Sequence, residues 1–412
     1  MKKKLFLIVA AVLIVASVAS AKPIEIKFWT LFTGGDGEFF DAMVKEFNAS
    51  QNEIVAKNDT VKFSNYYTKL TAALAARTAP DIVICHTERF VNYVPNGRFL
   101  ALDSYAKQIG MDLSTYQPSV LEACKYKGKL YAIPMDVHPI VMYYNKDLLA
   151  KAGVTKVPVT LDELLSAATA IKEKTGAIGI VADNTTATYK AYTLSRMFYS
   201  MLKEQGYDFL NEKCTKANFN NEAGVKAYNA LNDMVNKLGV TPKGLDYDTS
   251  CADFKLGKAG FHFNGVWMVG SFTQQKDLNF GVCEFPALFG KNASWCGSHT
   301  FAIPVQKHQD SKKVVACMKF INWMTEHGEL WAKAGQMPTR MTVYQKESFK
   351  SIPHITEYLS AAEHTFTVPA TTKWDEIYDA TSDCLEEAVA KNKDAKTALN
   401  DMEKVINDIL NK

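Results

Sequence analysis

Residues 128–154 read GKLYAIPMDVHPIVMYYNKDLLAKAGV. The stretch begins extended at Lys129, is turned at Pro134 and Pro139, and continues apolar through Ile140-Val141-Met142-Tyr143-Tyr144. Proline donates no N–H to a sheet ladder and so marks the edge or the start of a strand. An extended segment broken twice and then apolar reads as a strand that passes from one half of the molecule to another.

Upstream, Ile24 to Trp29 (IEIKFW) alternates as a strand does, and the turn Gly34-Gly35-Asp36-Gly37 leads into a helical pattern at Phe39, Phe40, Met43, Val44 and Phe47. A second helix is expected from Tyr66 to Ala76. After the loop Arg77-Thr78-Ala79-Pro80 comes Asp81-Ile82-Val83-Ile84, a short buried strand. Strand, helix and strand in alternation predict an α/β protein with largely parallel sheets. Downstream, Thr160-Leu161-Asp162-Glu163 has capping-box spacing, with Leu161, Leu164, Leu165, Ala168 and Ile171 repeating at helical period behind it. Further helices are expected at 311–326, 354–364, 373–390 and from Ala395 to Leu410. No internal repeat or long linker separates the halves, so two lobes joined by several short crossings are expected.

The first residues, MKKKLFLIVAAVLIVASVASA, combine three lysines, an apolar run from Leu5 to Ala16 and small residues closing on Ala19-Ser20-Ala21. This predicts a signal peptide cleaved after Ala21 and an exported, periplasmic chain; no cysteine near the cut offers a thiol for lipidation. Removing Lys2, Lys3 and Lys4 from the 47 basic residues leaves 44 against 44 acidic ones. That balance predicts no nucleic acid or other polyanionic partner. A mature chain of this size exceeds what a single core sustains, so two domains are expected. The eight cysteines are even in number in a compartment that permits disulfides, but spacing does not reveal pairing, and buried thiols are an equal alternative. No C-x-x-C or zinc-like cluster occurs, so no metal site and no cofactor is predicted.

The stretches KFWTLFTGGDGEFFDAMVKEFN from Lys27, AARTAPDIVICHTERF from Ala75, the crossing segment from Gly128, FKLGKAGFHFNGVW from Phe254 and SWCGSHTFAIP from Ser294 occur in one order. In this the chain resembles the family 1 extracellular solute-binding proteins, the sugar-binding components of ABC importers that include the maltose-binding protein. The resemblance implies the type II periplasmic binding fold: two lobes, each a mostly parallel sheet flanked by helices, joined by hinge crossings near Pro134, Gly297 and Phe349. The expected lobes are 22–135 plus 298–348 and 136–297 plus 349–412, behind a signal at 1–21. Ligand is then expected between the lobes, beyond the carboxyl ends of the strands.

A sugar offers vicinal hydroxyls and apolar C–H faces, so planar polar groups and aromatic rings are the residues to seek. The resemblance implies that Glu88 and Arg89 contact sugar; the plainer reading is an ion pair at a helix start. His138 stands where the maltose-binding relative has a contacting glutamate, which implies a different hydroxyl arrangement; alternatively it is a histidine satisfied within the crossing. Asp136 lies two residues earlier on the same extended face. Trp267 matches a cleft tryptophan, against the alternative of a core ring, and Trp374 stands near a C-terminal stacking position with core packing as the alternative. Trp29 reads as core. Asp36 in the glycine turn is a hydroxyl acceptor beside the free N–H groups of a helix start, and Ser298 belongs to a glycine-containing cleft loop. This mixture of one arginine with acids, histidine and tryptophan leans toward a neutral carbohydrate. The expected partners are that sugar and ABC permease subunits, with the protein itself a monomer. Two alternatives stay open: an exported glycan-active hydrolase, although no H-E-x-x-H, G-x-S-x-G or P-loop occurs, or the same fold binding another solute such as a polyol phosphate, a peptide or a polyamine.

Overall fold

The computed structural model describes residues 22–186, 190, 192–369 and 371–412. The expected signal segment lies outside the described residues. Strand Ile24–Thr30 is followed by helix Gly37–Ser50, strand Ile54–Thr60, helix Phe63–Ala76 and strand Ile82–His86. These three strands pair in parallel, with Ile24–Thr30 in the middle. Phe40, Met43, Val44 and Phe47 form the buried stripe of the first helix, as the helical spacing requires.

The sheet is completed by two strands from elsewhere in the chain, His299–Ala302 and Ala132–Pro134, and both pairings are antiparallel. The second sheet is built around the crossing strand Asp136–Asn145, which runs antiparallel to Ala259–Gly265, Phe280–Glu284, Ser294–Gly297 and Met337–Pro338. Parallel pairs there are limited to Ile178–Val181 with Ala259–Gly265 and Ser294–Gly297 with Thr365–Phe366. The sheets are therefore mixed and not mostly parallel. Strands that enter a lobe from its neighbour arrive from the opposite end and so run against the βαβ strands already in place.

Each sheet carries its own hydrophobic core. One cluster contains Ile26 to Met135, Phe301 to Ile303 and Val314 to Ala334 apart from Ala332; the other contains Val137 to Cys296, Ala332 and Met337 to Ile409. The chain thus passes from one core to the other at Asp136, between Cys296 and Phe301, and between Ala334 and Met337. The third change comes earlier than the expectation near Phe349, because Met337 and Val343 are fully buried in the second core and Met337–Pro338 pairs with the crossing strand. The capping box at Thr160 and Glu163 forms in both directions, and helices Ser311–Glu326, Trp374–Ala390 and Ala395–Leu410 match their expected spans. The expected helix at 354–364 is a short α-turn, Ile355–Tyr358, continued as the 3-10 segment Leu359–His364. All eight cysteines are free thiols.

Candidate functional site

Two crossings lie side by side where the sheets meet. Sheet register places His299 opposite His86 in the first lobe and Gly297 opposite His138 in the second. Three histidines far apart in sequence therefore converge. The rings of His138 and His299 stack at 4.0 Å, and His86 lies 4.6 Å from His299 and 5.4 Å from His138. The stack needs a glycine opposite His138: a Cβ on Gly297 would come within 2.2 Å of His138 Nε2.

Asp136 organises this cluster from below. Its fully buried carboxylate accepts from His138 Nδ1 at 2.9 Å, His299 Nδ1 at 2.9 Å, Trp331 Nε1 at 2.6 Å and the His299 backbone N–H at 3.1 Å. Burial alone would push the Asp136 carboxyl up, but the fields of His299 and His138 and their hydrogen bonds hold it well below the usual carboxylate range. An ionised carboxylate only accepts, so both Nδ1 atoms donate to it. Burial, and then His299, push the His138 imidazole down to about 4 against the opposing pull of Asp136. Burial likewise holds His86 well below its ordinary value, with His299 and His138 adding to the effect. His86 Nδ1 is hydrogen-bonded to the Tyr67 hydroxyl.

A cavity of about 680 Å³, mouth included, opens beside the three histidines. The first lobe contributes Leu31, Thr33, Gly34, Asp36, Phe63, His86 and His299, and the second contributes His138, Lys190, Tyr192, Arg196, Tyr247 and Trp267. Asp36 is 5 % exposed; its Oδ2 accepts from Gln336 at 3.2 Å while Oδ1 has no partner. Burial pushes its carboxyl up to about 6, opposed chiefly by His299. Trp267 follows the buried strand Ala259–Gly265, folds back over Gly265, where a Cβ would lie 1.8 Å from its ring, and donates from Nε1 to the Tyr247 hydroxyl at 2.9 Å.

Of the residues named from sequence, the structure brings Asp36, His138 and Trp267 to the cavity wall. Asp136 sits behind it as the hub. Ser298 is turned inward, its hydroxyl donating to the Asp136 carbonyl at 2.6 Å. Glu88 and Arg89 are not among the lining residues: Arg89 pairs with Asp375 at 2.5 Å and covers the Tyr67 ring at 3.6 Å. Burial raises the Glu88 carboxyl, with Arg89 opposing. Trp374, 3 % exposed, packs with Tyr199, Phe209 and Tyr378 away from the cavity, so core packing accounts for it. The sequence reading missed His86, Arg196, Tyr192, Tyr247 and His299. His86 and His299 were legible as neighbours of segments already singled out, ICH at the end of a strand and GSH in the glycine-containing loop. Arg196 and Tyr192 carried no such signal, because they lie on a helix, Tyr192–Glu204, that is buried almost all round.

Each of His86, His138 and His299 brings a ring nitrogen within 4.8 Å of the others, and among the described residues they form the group whose composition suits a divalent metal. The described residues contain no helix long and apolar enough to cross a membrane.

The family model described as bacterial extracellular solute-binding protein matches residues 33–330. The chain belongs to this family. Among curated relatives, the chain is 27 % identical over 361 residues to the arabinooligosaccharide-binding protein of Bacillus subtilis, covering 84 % of this chain and 80 % of that protein. It is 28 % identical over 356 residues to the maltooligosaccharide ABC transporter solute-binding lipoprotein of Streptococcus pneumoniae, covering 83 % and 79 % respectively. Among solved structures it is similar to the GacH receptor of Streptomyces glaucescens, solved unliganded and with acarbose, with a TM-score of 0.83 at 23 % identity over 95 % of this chain and 99 % of that one. That likeness establishes the two-lobed fold of this solute-binding protein.

Proposed function

We propose that this solute-binding protein is exported, captures a small saccharide between its lobes without chemical conversion, and delivers it to the membrane subunits of an ABC importer. The observation that carries this is the cavity itself: both lobes wall it, and it pairs an aromatic face, Trp267 with Tyr192 and Phe63, with polar groups that lack protein partners, such as Asp36 Oδ1. The printed names of the relatives, arabino- and maltooligosaccharide binders, agree with a carbohydrate ligand. In this reading the ligand touches Asp36, His86 and His299 from one side and His138, Arg196 and Trp267 from the other. It gains the full set of contacts only when the lobes approach, so its differential affinity shifts a hinge equilibrium toward the closed form. The lobes are assigned as 22–135 plus 298–335 and 136–297 plus 337–412, with Asp136 and Ser298 in the hinge, and the protein acts as a monomer in the periplasm after loss of residues 1–21.

The test is native mass spectrometry of freshly purified protein for a bound saccharide, followed by calorimetry with the released compound. Turnover of that compound by the purified protein would overturn the binding reading in favour of a hydrolase.

A further inference from the structure

The cavity holds a buried positive charge with no negative partner in the protein. Three arginines of this chain are largely buried. Arg89 pairs with Asp375 at 2.5 Å and Arg340 with Glu326 at 3.2 Å, but Arg196, only 9 % exposed, has no carboxylate within salt-bridge distance. No residue outside the described set is Asp or Glu, so none of those side chains supplies the missing charge. Of the five N–H groups of Arg196, Nε donates to the Tyr378 hydroxyl at 2.7 Å; the terminal N–H groups have no partner among the described residues. The guanidinium lies against rings instead, 4.3 Å from the Trp295 centroid and 5.1 Å from that of Trp267.

Its neighbours do not neutralise it by contact. Asp183 feels its field, but Asp183 Oδ2 accepts from the Thr193 backbone at 3.3 Å and Oδ1 stays without a partner. Asp36, the acid of the cavity wall, belongs to the opposite lobe and is bonded to Gln336. Lys190 at the wall is paired with Asp383 at 2.8 Å. A buried charge is expected to have a partner, and a planar guanidinium fork matches two oxygens of a carboxylate or phosphate.

Resting on the saccharide reading above, we infer that the ligand is an acidic saccharide whose anionic group, a uronate carboxylate or a phosphate ester, seats on the free fork of Arg196. Its ring then lies against Trp267, and its hydroxyls reach Asp36 and His138 Nε2. The neutral-sugar expectation drawn from sequence is thereby revised. It counted one arginine, Arg89, that is committed to Asp375, and did not see the one that faces the cavity.

The experiment offers purified protein, at pH 7.5, three oligosaccharide pools of matched length: neutral, uronate-containing and phosphorylated. Retention is measured by equilibrium dialysis and mass spectrometry, and affinity by calorimetry. Expected is retention from the uronate or the phosphorylated pool, which also tells these sources apart, with the matched neutral compound at least about 30-fold weaker. Arg196→Gln is expected to abolish that preference, whereas Arg196→Lys, which keeps the charge and loses the fork, retains part of it. Where Arg196→Gln melts early, the lysine variant and the wild-type comparison decide. Equal or tighter binding of the neutral compound overturns the inference and leaves the saccharide reading standing. Retention from none of the pools overturns both.

Discussion

Arg89 in the first lobe and Asp375 in the first turn of the second-lobe helix Trp374–Ala390 form an ion pair at 2.5 Å that spans the two lobes. The side chains are 13 % and 37 % exposed, so solvent screens the acid end and the pair is worth about 1 kcal/mol. Because the pair requires the lobes to be close, it favours the arrangement that encloses the cavity. Arg89→Ala and Asp375→Ala are each expected to weaken ligand binding a few-fold although neither residue lines the cavity. Calorimetry on both single variants and the double variant measures the coupling; strictly additive effects would mean that the pair does not bias the hinge.

Trp267 brings the largest aromatic surface to the wall and is held by Tyr247. Trp267→Ala is expected to lower affinity by about 2–3 kcal/mol, roughly 30- to 150-fold, while far-UV circular dichroism stays unchanged. Unaltered affinity by calorimetry would remove the ring from the site.

The His138 imidazole is pushed down to about 4 by burial and by His299. An unfolded histidine titrates near about 6.5. Between those values the unfolded chain holds a proton that the folded chain refuses, so stability is lost as pH falls through that window. His138→Gln cannot titrate. The stability advantage of wild type over this variant, from urea unfolding, is expected to shrink by about 2 kcal/mol between pH 7 and pH 5. A difference independent of pH would show that the histidine is not held neutral.

Glu204 shows the opposite sign. Its side chain is 1 % exposed, Oε2 accepts from the Phe289 N–H at 2.8 Å and Oε1 has no partner. Burial pushes the carboxyl up to about 8, against backbone N–H bonds from Phe289 and Leu288. The folded chain keeps a proton that an unfolded glutamate, near about 4.3, has released, so this group costs stability as pH rises. Glu204→Gln keeps an acceptor and cannot ionise. Its stabilisation relative to wild type should grow by up to about 3 kcal/mol from pH 5 to pH 7.5. A constant difference in urea midpoint across that range would contradict the shift.

Gly297 faces the His138 ring, and an added Cβ would lie 2.2 Å from Nε2. Gly297→Ala therefore has to displace the stacked histidines, with an expected loss of about 1–3 kcal/mol in unfolding free energy and a matching fall in affinity. Wild-type melting and affinity in this variant would show that the stack tolerates rearrangement.

The sequence by itself determined the elements and much of their order. Apolar period and caps fixed helices such as Ser311–Glu326 and Ala395–Leu410 and the capping box at Thr160, because these depend on residues three and four apart. The crossing strand was legible for the same reason, as a local break in pattern around Pro134 and Pro139. Asp36, His138 and Trp267 reached the cavity because each sits in a short segment whose position in the fold is set nearby.

Tertiary structure alone decided which charges were already committed. No local pattern shows that Arg89 is neutralised by Asp375, that Arg340 is neutralised by Glu326, or that Arg196 is left without a carboxylate. The convergence of His86, His138 and His299 on Asp136 likewise follows from strand register between distant segments. Charge pairing and burial act through space at a few ångströms, whereas the sequence orders residues along the chain; the ligand-facing chemistry of this protein is set by the former.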